Sequence, residues 1–272
     1  MAAGRAEIGF AYDDGRTRLA TLDQSDPLRI LFPYVSPDEP ITGALVTTSG
    51  GLVGGDSLKI VVRGESHTAS RIVGQAAEKI YRSTGADVTI EVRLDASEGA
   101  WLEWLPQETI LFENARMRRV TLAEVSGGAR LLAGEMIVFG RTAMGESMTR
   151  GLVRDAWEIR RGGRLIWSDA LHLDDDLEDG LQAAAGFDSA CAYGSLVYVA
   201  DDAEDQIDVA RELLGNDDSG LFSAATCVGN VLIVRWVGCD SLALRTAYGE
   251  FWSSFRNRIA GYPASMPRLW HM

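Results

Sequence analysis

Residues 100–112 read AWLEWLPQETILF, and how that stretch is buried decides the fold. Two tryptophans, four aliphatics and a phenylalanine surround two carboxylates, Glu103 and Glu108. Trp101, Glu103 and Leu105 alternate with Leu102, Trp104 and Pro106, and both sets are mostly apolar. A half-wet strand shows one apolar face; this one shows two, so it reads as a strand covered on both sides. Pro106 has no amide hydrogen to donate and ends the ladder, after which Thr109–Phe112 restarts it. Gln107 and Glu108 are left at a bend between two buried strands, where a carboxylate needs a partner, a wet cavity or a role.

Outward from that stretch the chain repeats strand, small turn, strand. Thr68–Val73, Val88–Leu94, Met117–Val125, Arg130–Phe139, Ala156–Arg160 and Leu165–Asp169 are strand-like, with glycine turns at Gly99, Gly127-Gly128 and Gly162-Gly163. Before them, Asp13-Asp14-Gly15 marks a hairpin turn, and Pro33, Pro37 and Pro40 punctuate an extended stretch. Lys79–Arg82 has strand-like residues but weak alternation. No fixed period is visible, so any solenoid character has to come from geometry and not from copied repeats.

Farther along, Asp174–Asp176 with Glu178-Asp179 reads as a solvated charged loop, since calcium loops space their acids and these are contiguous. A short helix ends at Leu214 with Gly215 beyond it, and Asp205 or a neighbour is its expected cap. Cys227–Val237 reads as a buried strand. From Ser241 to Ala260, Leu244, Tyr248, Phe251, Trp252, Phe255 and Ile259 recur at helical spacing, and Gly261 and Pro263 stop the helix. Its aromatic face is expected to pack on the sheet.

The totals bound the function. The 272 residues are 46% hydrophobic, with no apolar run near the ~18 residues of a membrane span and no leader-like start. A cytoplasmic protein with no membrane partner is the expectation. A net charge of −13 argues against nucleic acid, because each phosphate contact wants a lysine or arginine. Cys191, Cys227 and Cys239 cannot all pair and form no C-x-x-C, so reduced, buried thiols are expected. Met136, Met144 and Met148 read as core fillers.

Few motifs for chemistry survive inspection. Gly50 and Gly55 in SGGLVGGDS (49–57) have phosphate-loop spacing, but Asp56 stands where the lysine belongs and a strand follows, so the glycines form a turn that presents Asp56. Gly145–Thr149 lacks the second glycine of a nucleophile elbow. His67, His172 and His271 stand far apart, outside any metal-binding spacing. The carboxylates stand out: Asp56, Glu103, Glu108, Glu135, Glu146 and Asp169 interrupt apolar strands. Each is either tied by turn amides or by arginines such as Arg116, Arg118, Arg141 and Arg154, or part of a set lining a wet passage for a cation.

Ser49–Asp56 (SGGLVGGD), Ala76–Ser83 (AAEKIYRS), Leu102–Glu108 (LEWLPQE) and Gly140–Glu146 (GRTAMGE) come in an order that resembles the UreD (UreH) family of urease accessory proteins. The resemblance implies a single strand-rich domain across residues 1–272, a β-helix-like stack of strands with two helices near the C-terminus. It implies no enzyme activity and no tightly bound cofactor. Its implied partners are UreF, the GTPase UreG and apo-urease, with nickel in transit and room for a homodimer of the accessory complex. The acids in or beside the matching motifs, Asp56, Glu78, Glu135 and Asp169, are the implied lining of a loose nickel passage. From the residues alone, a β-helix carbohydrate hydrolase and a plain ligand-binding β domain remain competing readings.

Overall fold

The computed structural model describes residues 1–215 and 220–271. It is 52% strand and 16% helical, and its strands stack in about 4 solenoid-like turns. An outer hairpin, β1 (Ala3–Asp13) and β2 (Arg16–Ser25), and a short β3 (Leu28–Leu31) precede the coils. The first coil runs β4 (Ile41–Thr47), a single bridge at Leu52, then β5 (Ser57–Gly64). The second is β6 (Ala69–Gly74), β7 (Glu78–Ile80) and β8 (Val88–Ala96), and the third β9 (Trp101–Leu105), β10 (Thr109–Leu111) and β11 (Arg116–Val125). The fourth joins β12 (Arg130–Phe139) to β13 (Arg150–Arg161) through a 3-10 turn at Thr142–Met144.

Successive coils pair in parallel on three sides. β4, β6, β9 and β12 form one sheet, β5, β8, β11 and β13 a second, and β7, β10 and the end of β12 a narrow third. Ile8, Val62, Leu94, Ala123 and Ile159 stack register on register through the second sheet, all buried. Antiparallel strands finish the stack: β2 and β14 (Arg164–Asp176) flank the second sheet, and β3 flanks the first. At its other edge the first sheet continues into β15 (Ala192–Val199), β16 (Leu221–Val228) and β17 (Val231–Gly238).

The AWLEWLP reading holds residue by residue, since all five residues of β9 are buried. Leu102 and Trp104 face the interior between the sheets, while Trp101 and Leu105 face the opposite cluster under the last helix. That helix, α3 (Ser241–Ala260), follows α1 (Glu178–Gln182) and α2 (Ile207–Leu214). Asp240 caps α3 by accepting the amides of Leu242 and Ala243 at 2.8 and 3.0 Å, and Gly261 closes it at φ 73°. Tyr248, Phe251, Trp252 and Phe255 are buried against the first sheet as expected.

Six details differ from expectation. Cys227–Val237 is not one buried strand: it is the end of β16, a turn at Gly229-Asn230, and β17. Asp174–Asp176 is not a loop: the acids continue β14 along β13, because Leu171 and Leu173 on alternate positions hold the strand down while the acids face water. A third, five-residue helix, α1, follows it. Asp205 caps nothing, since a 3-10 turn over Glu204–Gln206 leads into α2 and no side chain caps that helix. The thiols are free but not buried, with Cys239 exposed and Cys191 and Cys227 half-buried at strand ends or an edge, and Met144 is exposed on its 3-10 turn while Met136 and Met148 are core. No helix among the described residues is long and apolar enough to cross a membrane.

Candidate functional site

Inward positions of a parallel β-coil face one another across the stack, so a charge at an inward position must meet its partner there or stay unpaired. On β12 the inward set is Leu131, Ala133, Glu135, Ile137 and Phe139; on β11 it is Met117, Arg119, Thr121, Ala123 and Val125; on β13 it is Val153, Asp155, Trp157 and Ile159. Glu135, Arg119 and Asp155 are each buried, at 3%, 4% and 4% exposure. They converge in the interior.

Arg119 holds Asp155 with two parallel bonds, Nε to Oδ1 and Nη2 to Oδ2, both 2.8 Å. Its Nη1 donates to the Thr109 hydroxyl at 3.0 Å. The same Nη1 lies 2.7 Å from Glu135 Oε2, but off the N–H direction, so that contact is charge without a hydrogen bond. Glu135 Oε1 accepts from Trp104 Nε1 at 2.9 Å. Oε2 is thus a buried carboxylate oxygen with no donor. Burial pushes the Glu135 carboxyl up to about 7; Arg119 draws it down and Asp155 pushes it up again.

Glu135 lines a cavity of about 210 Å³. Exposed Ser49, Gly50, Gln75 and Ala76 form its rim, aliphatics including Leu58, Ile60 and Val92 its walls, and Trp104, Thr109, Arg119 and Glu135 its floor. Between rim and floor stands half-buried Glu78, which accepts from the Thr47 hydroxyl at 2.5 Å and the Lys79 amide at 3.2 Å. Burial raises its pKa above the ordinary carboxylate value against those two bonds. Gln107, also on the cavity wall, donates to the carbonyls of Gly74, Gln75 and Leu269 and so ties the rim to the C-terminal segment.

Of the four acids singled out from the sequence, the cavity brings together Glu78 and Glu135. Asp56 stays on the glycine turn, accepting the amides of Ala2 at 2.6 Å and Val53 at 3.0 Å. Asp169 lies on a second pocket between β14 and β17, paired with Arg235 at 2.5 Å. Glu103 and Glu108 are held by Arg256 and Arg245, and Glu146 by Arg141. Arg116 and Arg118 turn instead to Asp87. Sequence reading missed Arg119 and Asp155, yet the parity of their strands carried the signal: each is the one charge in an otherwise inward set. Among the described residues, no three His, Cys, Asp or Glu side chains cluster to hold a metal.

The combination is a β-solenoid with a carboxylate-bearing cavity. The model of the UreD urease accessory protein family matches residues 2–271. A urease accessory protein UreD from Magnetococcus marinus is 45% identical over 270 residues, covering 98% of this chain and 93% of the relative. A urease accessory protein UreD 2 from Methylorubrum populi is 39% identical over 97% of the chain and 87% of its own length. A third, from Azorhizobium caulinodans, is 36% identical over 99% and 96%. The chain belongs to the UreD family of urease accessory proteins, which supports a role in urease maturation.

Proposed function

We propose that this protein matures urease without catalysing a reaction, holding UreF and the GTPase UreG against apo-urease while nickel passes through its interior. The observation that carries the reading is the cavity lined by two carboxylates, half-buried Glu78 and buried Glu135. Carboxylate oxygens hold a borderline divalent cation loosely enough to release it, whereas a thiolate cage would retain it. The route runs from Glu78 to Glu135. Asp56 and Asp169 do not line this cavity, and the proposed route leaves them out.

A carbohydrate hydrolase fits less well. It needs two carboxylates flanking a scissile bond in an open groove, and this cavity is smaller than the roughly 300–1,000 Å³ of small-molecule sites, with Glu135 on its buried floor. The test is Glu78→Gln with Glu135→Gln, assembled with UreF, UreG and apo-urease, followed by measurement of nickel in the urease. A several-fold fall with the complex intact is expected. Undiminished loading removes the passage.

A further inference from the structure

Beside the cavity, which Glu135 and Arg119 line and Asp155 does not, two carboxylates from facing sheets, Glu135 on β12 and Asp155 on β13, approach the same guanidinium. Arg119 commits Nε and Nη2 to Asp155 and gives Nη1 to Thr109, so it neutralises Asp155 fully while attracting Glu135 by charge alone. Glu135 is consequently a single carboxylate with one oxygen held by Trp104 and the other free of donors. Without the guanidinium, the same two buried carboxylates would face a common space with an excess of negative charge and no neutralising group. Such a pair chelates a divalent cation and keeps it.

We infer that Arg119 is a tethered cation that sets how loosely the passage holds its metal, standing where a second metal-binding carboxylate would otherwise act and leaving Glu135 to work alone. The inference rests on the passage reading above and adds its release step. A divalent ion at Glu135 feels the positive charge of Arg119 a few ångströms away and so cannot settle there. Arg119 is a positioning residue: it touches the carboxylates, and the metal only through them.

The test is nickel binding by equilibrium dialysis at neutral pH, with the protein in its accessory complex, before and after Arg119→Gln. The variant is expected to gain a nickel site on the order of a hundredfold tighter than wild type, the scale of one removed charge at this range in a partly screened interior. Added Asp155→Asn should abolish the gain and restore loading of urease, since Glu135 is again alone. Loss of a merely structural ion pair would not create a metal site. If Arg119→Gln retains no nickel, yet Glu135→Gln still lowers loading, the role of Arg119 is wrong and the passage stands; if Glu135→Gln leaves loading unchanged, the passage itself falls. Should Arg119→Gln not accumulate folded, Arg119→Lys decides. It keeps the charge and should bind nickel as weakly as wild type, and a tight site appearing in it overturns the inference.

Discussion

Glu103 on β9 and Arg256 on α3 meet at 3.0 Å with neither side chain exposed. Around them, Arg256 also donates to Glu39 at 2.7 and 3.1 Å, Arg71 donates to Glu39 at 2.9 Å, and Trp101 Nε1 donates to Glu103 at 2.8 Å. Two positive and two negative charges thus cancel under the helix, and Arg256 stacks on Tyr262 at 4.8 Å. The network bolts α3 to the outer face of the first sheet, which is why a glutamate is tolerated in the middle of WLEWL.

Truncating one partner of such a set leaves a buried charge uncompensated, at a cost of roughly 3–5 kcal/mol. Glu103→Ala is therefore expected to lower the unfolding free energy by about that much in urea titration, because Glu39 alone must then serve both Arg256 and Arg71. Adding Arg256→Met should recover part of the loss. A loss in the double variant equal to the sum of the losses in Glu103→Ala and Arg256→Met alone would mean the charges are not coupled.

Under the same helix, Gly134 faces the Tyr248 side chain. A Cβ there would meet the Tyr248 hydroxyl at 2.1 Å and the Ser195 carbonyl oxygen at 2.5 Å, and the second is backbone that cannot swing away. Gly134→Ala should cost on the order of 1–3 kcal/mol by overpacking. Tyr248→Phe in the same chain should relieve only part of it; full relief would mean that the sheet backbone yields.

Much of the fold was legible in the sequence because burial on two faces writes itself into composition: β9, β12 and β17 are apolar at almost every position, and α3 shows its stripe. The coil was not legible as a repeat, since the rungs Ile41, Ser70, Leu102 and Leu131 stack at unequal spacing and do not keep one side-chain type throughout. The continuation of β14 through Asp174–Asp176 was hidden because an edge strand facing water can carry the composition of a loop. At the site, Glu78 and Glu135 were found as acids within apolar surroundings. Arg119 was passed over because Arg116 and Arg118 beside it make the segment look like a uniformly charged face, and only strand parity separates the inward arginine from its outward neighbours.

Asp56 distinguishes turn chemistry from metal traffic. Its carboxylate satisfies the amides of Ala2 and Val53, linking β1 to the glycine turn. Asp56→Ala should cost about 1–3 kcal/mol through those unsatisfied amides, while nickel loading by the assembled complex stays at the wild-type level per folded protein. A loading defect with stability unchanged would move Asp56 onto the route.

Glu135 gives the protein a pH signature of definite sign. Its carboxyl titrates at about 7 in the fold and near ~4.3 in the unfolded chain, so the native state binds the proton more tightly. The stability that this group contributes is fully present below the unfolded value and is lost as pH rises through 7, on the order of 3–4 kcal/mol in all. Glu78, raised by burial, adds to the same trend. Glu135→Gln keeps the neutral form at every pH and leaves Arg119 its two bonds to Asp155. Relative to wild type, that variant should therefore gain stability as pH rises from about 4.3 to about 7 and level off above that in urea unfolding. Parallel curves for the two proteins would show that Glu135 is ionised throughout, with Arg119 outweighing burial.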